Sequence, residues 1–283
     1  MLKPDLHIHT TASDGVLTPS KVVLRAKERG VNLLAVSDHD SLDGVSEAQE
    51  TAQKENIQII SAVEFSCGGE AEVHVLGYGL SPDAREVRDV LARMKAERET
   101  RADKMIAKLD KLGMHLKKQE IDAAPDAVKG RAQIARTLLA KGYVHSIQDA
   151  FDRLIGVGCP AYVPREKLLV TDAIALILRN GGVPVLAHPG LIKMEPAAFY
   201  ALFDVWQDAG MMGVEVYHPA HRMHAFSQWD HFARSRGLLV TGGSDFHEAG
   251  DKHADIGEML PYWLKAQEDA ERLMIALESR KGV

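Results

Sequence analysis

The sequence is poor in cysteine, in long apolar runs and in net positive charge, and each shortage removes a class of protein. Two cysteines in 283 residues, Cys67 and Cys159, do not make a disulfide framework. Both are expected as buried or half-buried thiols. No apolar run approaches the roughly 20 residues that span a bilayer, so no membrane partner is expected. Met1–Asp5 offers no apolar signal core, and a cytoplasmic chain is expected. The net charge of −6 argues against a sequence-blind DNA-coating protein, and no stable DNA complex is expected. It leaves a phosphate substrate open, because bound cations reverse the local sign. There is no internal repeat and no low-complexity segment. What is present is an ordinary globular balance, 46% hydrophobic and 26% charged, in a length that allows one large domain or two small ones. The unusual count is thirteen histidines.

Seven short runs rich in Val, Ile and Leu read as buried strands: Asp5–His9, Leu33–Ser37, Ile57–Val63, Val73–Leu76, Val183–Ala187, Gly213–Val216 and Leu238–Thr241. Helical patterns lie between most of them. Thr18-Pro19 reads as an N-cap with proline at the first helical position, and Gly30 as the stop. Ser41–Lys54, Thr171–Arg179, Pro196–Ala209 and His221–Arg236 are similar. Alternation of this kind predicts parallel β/α units. From about Asp83 to Val163 no strand is evident. Val87, Val90, Leu91, Met94, Met105, Ile106, Leu109 and Leu112 fit one stripe of a long amphipathic helix, with Arg93, Lys95, Arg98, Arg101, Lys104 and Lys108 on its other face. That face is either simply solvated or a phosphate-attracting rim. A second helix, Arg131–Lys141, ends at Gly142. The expected division is a barrel built from 1–82 and 164–283, interrupted by a helical cap over 83–163.

The strand ends carry the chemistry. His7, His9 and Asp14 follow the first strand, Asp38, His39 and Asp40 the second, and Glu64 ends the third. His188 ends the fifth, Glu215 and His218 belong to the sixth, and the last leads into Gly242-Gly243-Ser244-Asp245-Phe246-His247. The exception is His74, near the start of its strand. In a β/α barrel every strand delivers its C-terminal end to one face, where sites are built. Two imidazoles two residues apart on a strand, His7 and His9, point the same way. About ten nitrogen and oxygen donors exceed what one tetrahedral ion takes, which predicts two or three ions. The mixture of imidazole and carboxylate suits Mn²⁺, Fe²⁺ or Zn²⁺. Ions sharing carboxylates activate water for hydrolysis. His115, His145, His221, His224, His231 and His253 are expected as surface or packing histidines.

Pro4-Asp5-Leu6-His7-Ile8-His9-Thr10, with Ser13-Asp14-Gly15, resembles the opening motif of the PHP (polymerase and histidinol phosphatase) family. So do Ser37-Asp38-His39-Asp40, Glu64, His74, Ala187-His188-Pro189 and Ser244-Asp245-Phe246-His247. The resemblance implies a distorted seven-stranded (β/α)7 TIM-like barrel with a trinuclear site, usually hydrolysing phosphoesters; of the three candidate metals Mn²⁺ is the one expected. It implies one ion on His7, His9, Glu64 and Asp245, a second on Glu64, His74 and His188, and a third on Asp14, His39 and His247. Asp40 and His218 would either support the ligands from behind or handle protons, and Glu215 is either part of that machinery or an orienting group.

Lys129-Gly130-Arg131-Ala132-Gln133-Ile134-Ala135-Arg136 resembles the cap segment of members acting on nucleoside 3′,5′-bisphosphates, which also trim RNA from its 5′ end. This implies removal of the 3′-phosphate, with Arg131 and Arg136 holding the other one; the arginine fork suits phosphate oxygens. Tyr162, Tyr217 and Phe246 are candidates for stacking on the base. The partners implied are a nucleotide with two phosphates and short RNA 5′ ends. Histidinol-phosphate phosphatase is the rival within the chemistry. A C–N amidohydrolase would want a bridging lysine where Glu64 stands. A silent metal-binding accessory module would lack ligands, and every motif position is filled.

Overall fold

In the computed structural model, residues 2–68, 71–121, 130–164, 167–221, 223–248, 254–258 and 263–280 are described. Strands β1 (Pro4–Ile8), β2 (Leu33–Val36), β3 (Gln58–Gly68), β4 (Val73–Tyr78), β5 (Leu168–Leu169), β6 (Val183–Leu186), β7 (Gly213–Tyr217) and β8 (Leu239–Gly242) form one sheet. Its order is β1-β2-β3-β4-β6-β7-β8, with the short β5 beside β3. The ends of this path meet. His9 N–H donates to the Phe246 carbonyl and Asp245 N–H to that of His7, both at 2.9 Å. The sheet is therefore closed into a barrel of seven strands, and no edge is left between β8 and β1.

Two features depart from the sequence expectation. β4 runs antiparallel to both β3 and β6. Only four residues separate β3 from β4, too few for the crossover that a parallel pair needs. The strand period could not reveal this, because alternation reads the same in either direction. The reversal brings the start of β4 to the rim that receives the ends of its neighbours, and His74 pairs in register with Ser66. β5 was not expected at all; two residues carry no periodic signal.

Helices α1 (Pro19–Glu28) and α2 (Val45–Glu55) cover one side of β1 and β2, burying Val22, Val23, Ala48 and Ala52 against Leu34 and Val36. Thr18 caps α1 by accepting from Lys21 N–H at 3.4 Å. α2 begins four residues later than the pattern indicated. Helix α3 (Arg85–Lys111) buries Val87 and Leu91 on the barrel, while Ala102, Met105 and Leu109 belong to a separate apolar cluster. α4 (Lys118–Ile121), α5 (Arg131–Ala140), α6 (Ile147–Ala150) and a π-helical turn over Phe151–Ile155 complete that cluster. Leu112, placed on the stripe, lies beyond the helix and is exposed. α7 (Val170–Arg179), α8 (Pro196–Asp208) and α9 (Met223–Ser235) pack around β4, β6 and β7. α10 (Trp263–Arg280) sets Leu273 and Leu277 beside Leu33 and Val183, at the strand starts. No described helix is long and apolar enough to cross a membrane.

Closure depends on Gly243, whose N–H donates to the Tyr217 carbonyl at 3.0 Å. A Cβ there would collide with the backbone and Cβ of His7. Gly243→Ala should lower unfolding stability by about 1–3 kcal/mol through overpacking, read as a lower denaturation midpoint. An unchanged midpoint would show that the seam is not close-packed.

Candidate metal centre

The closed rim gathers the expected donors at one point. His7 and His9 Nε2 are 3.1 Å apart. Each lies 3.1–3.4 Å from Glu64 Oε2 and Asp245 Oδ1. Glu64 Oε1 faces the other way, 2.6 Å from His74 Nδ1 and 2.9 Å from His188 Nε2. Asp14 Oδ1 is 3.1 Å from His247 Nε2, and Asp14 Oδ2 is 3.9 Å from His39 Nε2. Four sets have donor atoms close enough to share an ion: His7-His9-Glu64, His7-His218-Asp245, His39-Glu64-His74 and His9-Asp14-His39-His247. Thus the structure brings together all nine residues implied as ligands. It also puts His39 beside Glu64 and His9 beside Asp14, contacts that the one-dimensional grouping lacked.

The donor set fits divalent cations. His39 Nδ1 and Glu64 Oε2 approach to 2.8 Å, yet among the described residues neither finds a partner in good hydrogen-bond geometry, nor does His188 Nδ1. Buried polar atoms without partners are costly unless something else satisfies them. Tautomers agree. His7 Nδ1 meets Glu215 Oε1 at 3.0 Å and His247 Nδ1 meets the Asp245 carbonyl at 2.8 Å. A ring that donates from Nδ1 leaves the Nε2 lone pair for a metal. Glu215 is therefore an orienting residue; its other oxygen accepts from His188 N–H at 2.8 Å.

The surrounding chain holds these donors in strained backbone. His188, Asp245 and Asp40 have φ of +25°, +52° and +51°, conformations that persist only where the fold enforces them. Asp38 ties the loop between His9 and Asp14, accepting from Thr10 N–H, Thr10 Oγ1 and Ser13 Oγ at 2.6–2.7 Å. His221, placed among packing histidines, is buried and accepts from Gly190 N–H at 3.0 Å, steadying the turn after His188. His115, His145 and His231 are exposed; the side chain of His224 and residue His253 lie outside the described residues, as does Lys129.

Other expectations change. Asp40 is engaged in bonds to the fold. Its Oδ2 accepts from Arg98 Nε at 2.8 Å and Nη2 at 2.5 Å, and its Oδ1 from Ser66 N–H at 2.7 Å. That buried ion pair and the backbone bond occupy both carboxylate oxygens. His218 fits proton handling better. Ala220 N–H donates to its Nδ1 at 3.1 Å, which leaves the proton on Nε2, 3.1 Å from Asp245 Oδ2. Arg136 Nη1 donates to the Asp14 carbonyl at 2.8 Å, so it braces a ligand loop rather than facing the cavity. Tyr217 and Phe246 are buried in packing and cannot stack on a base. Cys67 is buried and Cys159 half-buried, and neither forms a disulfide.

A cavity of about 140 Å³ opens over Asp14, His39 and His74, lined also by Arg98, Arg101, Arg131 and Lys167. Beside it a groove of about 800 Å³ runs past His74 and His188 along Phe151, Val157 and Leu191. Glu72 and Phe151 line both. Neither they nor Lys167 stood out in the sequence, since none lies in a motif.

The PHP domain family matches residues 5–157. The chain belongs to the PHP family. A Chromobacterium violaceum relative, named 3′,5′-nucleoside bisphosphate phosphatase, is 33% identical over 264 residues, covering 91% of each chain. A Haemophilus influenzae relative named 5′-3′ exoribonuclease is 33% identical over 273 residues, 93% of this PHP chain and 98% of its own. A solved Bifidobacterium adolescentis structure, described as a metal-dependent phosphoesterase, superposes with a TM-score of 0.85 at 25% identity, covering 97% of this chain and 96% of that one.

Charge sets how this PHP site takes a metal. Burial opposes protonation of His9, but hydrogen bonds and charges from Asp245 and Glu64 override it and lift its pKa from 6.5 to about 10. Burial likewise opposes ionisation of Glu64, and His39, His74 and His7 hold it well below the usual carboxylate range. In the metal-free chain the His9 pairing stabilises fully below pH 6.5 and is lost as pH rises through about 10. An incoming cation must displace that proton. Mn²⁺ titrated at pH 7 into buffers of different ionisation enthalpy should therefore show proton release and tighter binding as pH rises. Heats independent of the buffer would contradict this.

Proposed function

We propose that the chain is a metal-dependent phosphomonoesterase that removes the 3′-phosphate from nucleoside 3′,5′-bisphosphates, using three divalent ions, Mn²⁺ foremost. The observation that carries the reading is a metal-ligating cluster on the floor of a cavity whose walls hold four cationic side chains. A substrate with two phosphates puts one on the floor and the other on a wall. The C. violaceum relative, similar over nearly the whole chain, is named for that activity.

His7, His9, Glu64 and Asp245 would hold one ion, Glu64, His74 and His188 a second, and Asp14, His39 and His247 a third. Bound there, divalent ions neutralise phosphate oxygens and lower the pKa of water. The chain's own groups do the rest. Water adds to phosphorus and gives up one proton, the bond to the ribose 3′-oxygen breaks, and that oxygen leaves with one proton passed through His218 Nε2, so that the imidazole ends in the state in which it began. Asp245 holds that imidazole in place. Arg131 binds the second phosphate. Its guanidinium lies 5.5 Å over the Phe151 ring, which also offers a face to a base.

The larger groove favours a second use of the same site. It extends from His74 and His188 along apolar side chains, with room for further nucleotides of a short RNA 5′ end. The H. influenzae relative carries the exoribonuclease name. Histidinol phosphate needs the floor but leaves the cationic wall without a role.

The Mn²⁺-loaded protein should release phosphate from adenosine 3′,5′-bisphosphate and leave the 5′-monophosphate. It should trim 5′-phosphorylated RNA from that end, and turn over histidinol phosphate far more slowly. Histidinol phosphate as the one good substrate would overturn the assignment. A 3′-monophosphate product would reverse the placement of the two phosphates.

A further inference from the structure

Of the four cations lining the cavity, two are held by the fold. Arg98 bonds Asp40 and Ser66, and Arg101 Nε donates to the Val163 carbonyl at 2.6 Å. The other two meet on one carboxylate. Lys167 Nζ lies 2.8 Å from Glu72 Oε1, and Arg131 Nη2 lies 3.2 and 3.5 Å from the two Glu72 oxygens. These residues come from three parts of the chain: Glu72 directly precedes β4, Arg131 begins α5, and Lys167 directly precedes β5. The cations are the more buried partners, with side chains 20% and 18% exposed, while Glu72 is 47% exposed. Arg131 is further fixed over Phe151. The carboxylate therefore lies nearest to solvent of the three groups.

We propose that Glu72 is a displaceable stand-in for the substrate's second phosphate, a residue that sets specificity by occupying the seat between Arg131 and Lys167. The inference rests on the reading above, in which that phosphate is the one not hydrolysed. A phosphate dianion offers more acceptor oxygens and more charge to a guanidinium fork and an ammonium than a carboxylate does, so it wins the seat. Glu72 then has no counter-charge and is repelled outward. After hydrolysis the 5′-monophosphate still holds the seat, and Glu72 competes for its return, which speeds product release. A nucleotide without the second phosphate leaves Glu72 in place.

Glu72→Gln keeps the shape and removes the charge. A half-exposed ion pair contributes about 0.2–1 kcal/mol, so binding should change by a factor of about 1.4 to 5. With the Mn²⁺-loaded protein, calorimetric Kd for adenosine 5′-monophosphate should fall by that factor in Glu72→Gln and in Glu72→Ala. The Kd for adenosine 3′-monophosphate, which cannot fill the seat, should stay the same. Lys167→Met should weaken the 5′-monophosphate alone. Equal tightening for both nucleotides, or none for the 5′-monophosphate, overturns the role of Glu72. Phosphate release from the bisphosphate by the unaltered protein tests the underlying reading separately: if that fails, the reading falls whatever Glu72 does.

Discussion

Glu64 is the group on which the rest of the site depends. It is fully buried, and a buried carboxylate is unfavourable unless its oxygens are matched by positive charge. Here each oxygen meets a separate set of imidazoles. Oε2 faces His7, His9 and His39, and Oε1 faces His74 and His188. Five histidines from β1, the β2 exit, β4 and the β6 exit are thereby brought to one point. The resulting excess of bare nitrogen and oxygen lone pairs is what divalent cations satisfy.

The barrel is built to serve that convergence. Closure between β8 and β1 places Asp245 against His7 and His9. The reversed β4 brings His74 to the same rim. The helical insertion between β4 and β5 does two further things. It sends Arg98 down to Asp40 and Gln133 and Arg136 to the carbonyls of Ser13 and Asp14, bracing the ligand loops. It also brings Arg131 over the cavity, where Lys167 on the returning chain meets it. Three of the expected metal ligands and the seat proposed for a second phosphate therefore line one cavity.

Most of the metal centre was legible in the sequence because strand ends must meet in a closed barrel, so a histidine or carboxylate after each strand already implies a cluster. Seven of the strands and the long helix could be read from periodicity. The direction of β4 could not, and His74 looked misplaced until the hairpin was known. Tautomers were beyond reach as well, since they depend on backbone groups such as Ala220 N–H. For the same reason Asp40 looked like an acid: its partner Arg98 lies 58 residues away in sequence. Glu72 and Lys167 were invisible because their meaning comes only from each other and from Arg131.

Glu64 is placed to serve more than one ion, and the metal content of Glu64→Gln tests that role. Folded protein, equilibrated with Mn²⁺ and weighed by native mass spectrometry, should lose at least two bound ions relative to the unaltered chain, with the fold confirmed by circular dichroism. Loss of a single ion, or of none, would mean that the clusters fill independently and that Glu64 is an ordinary ligand.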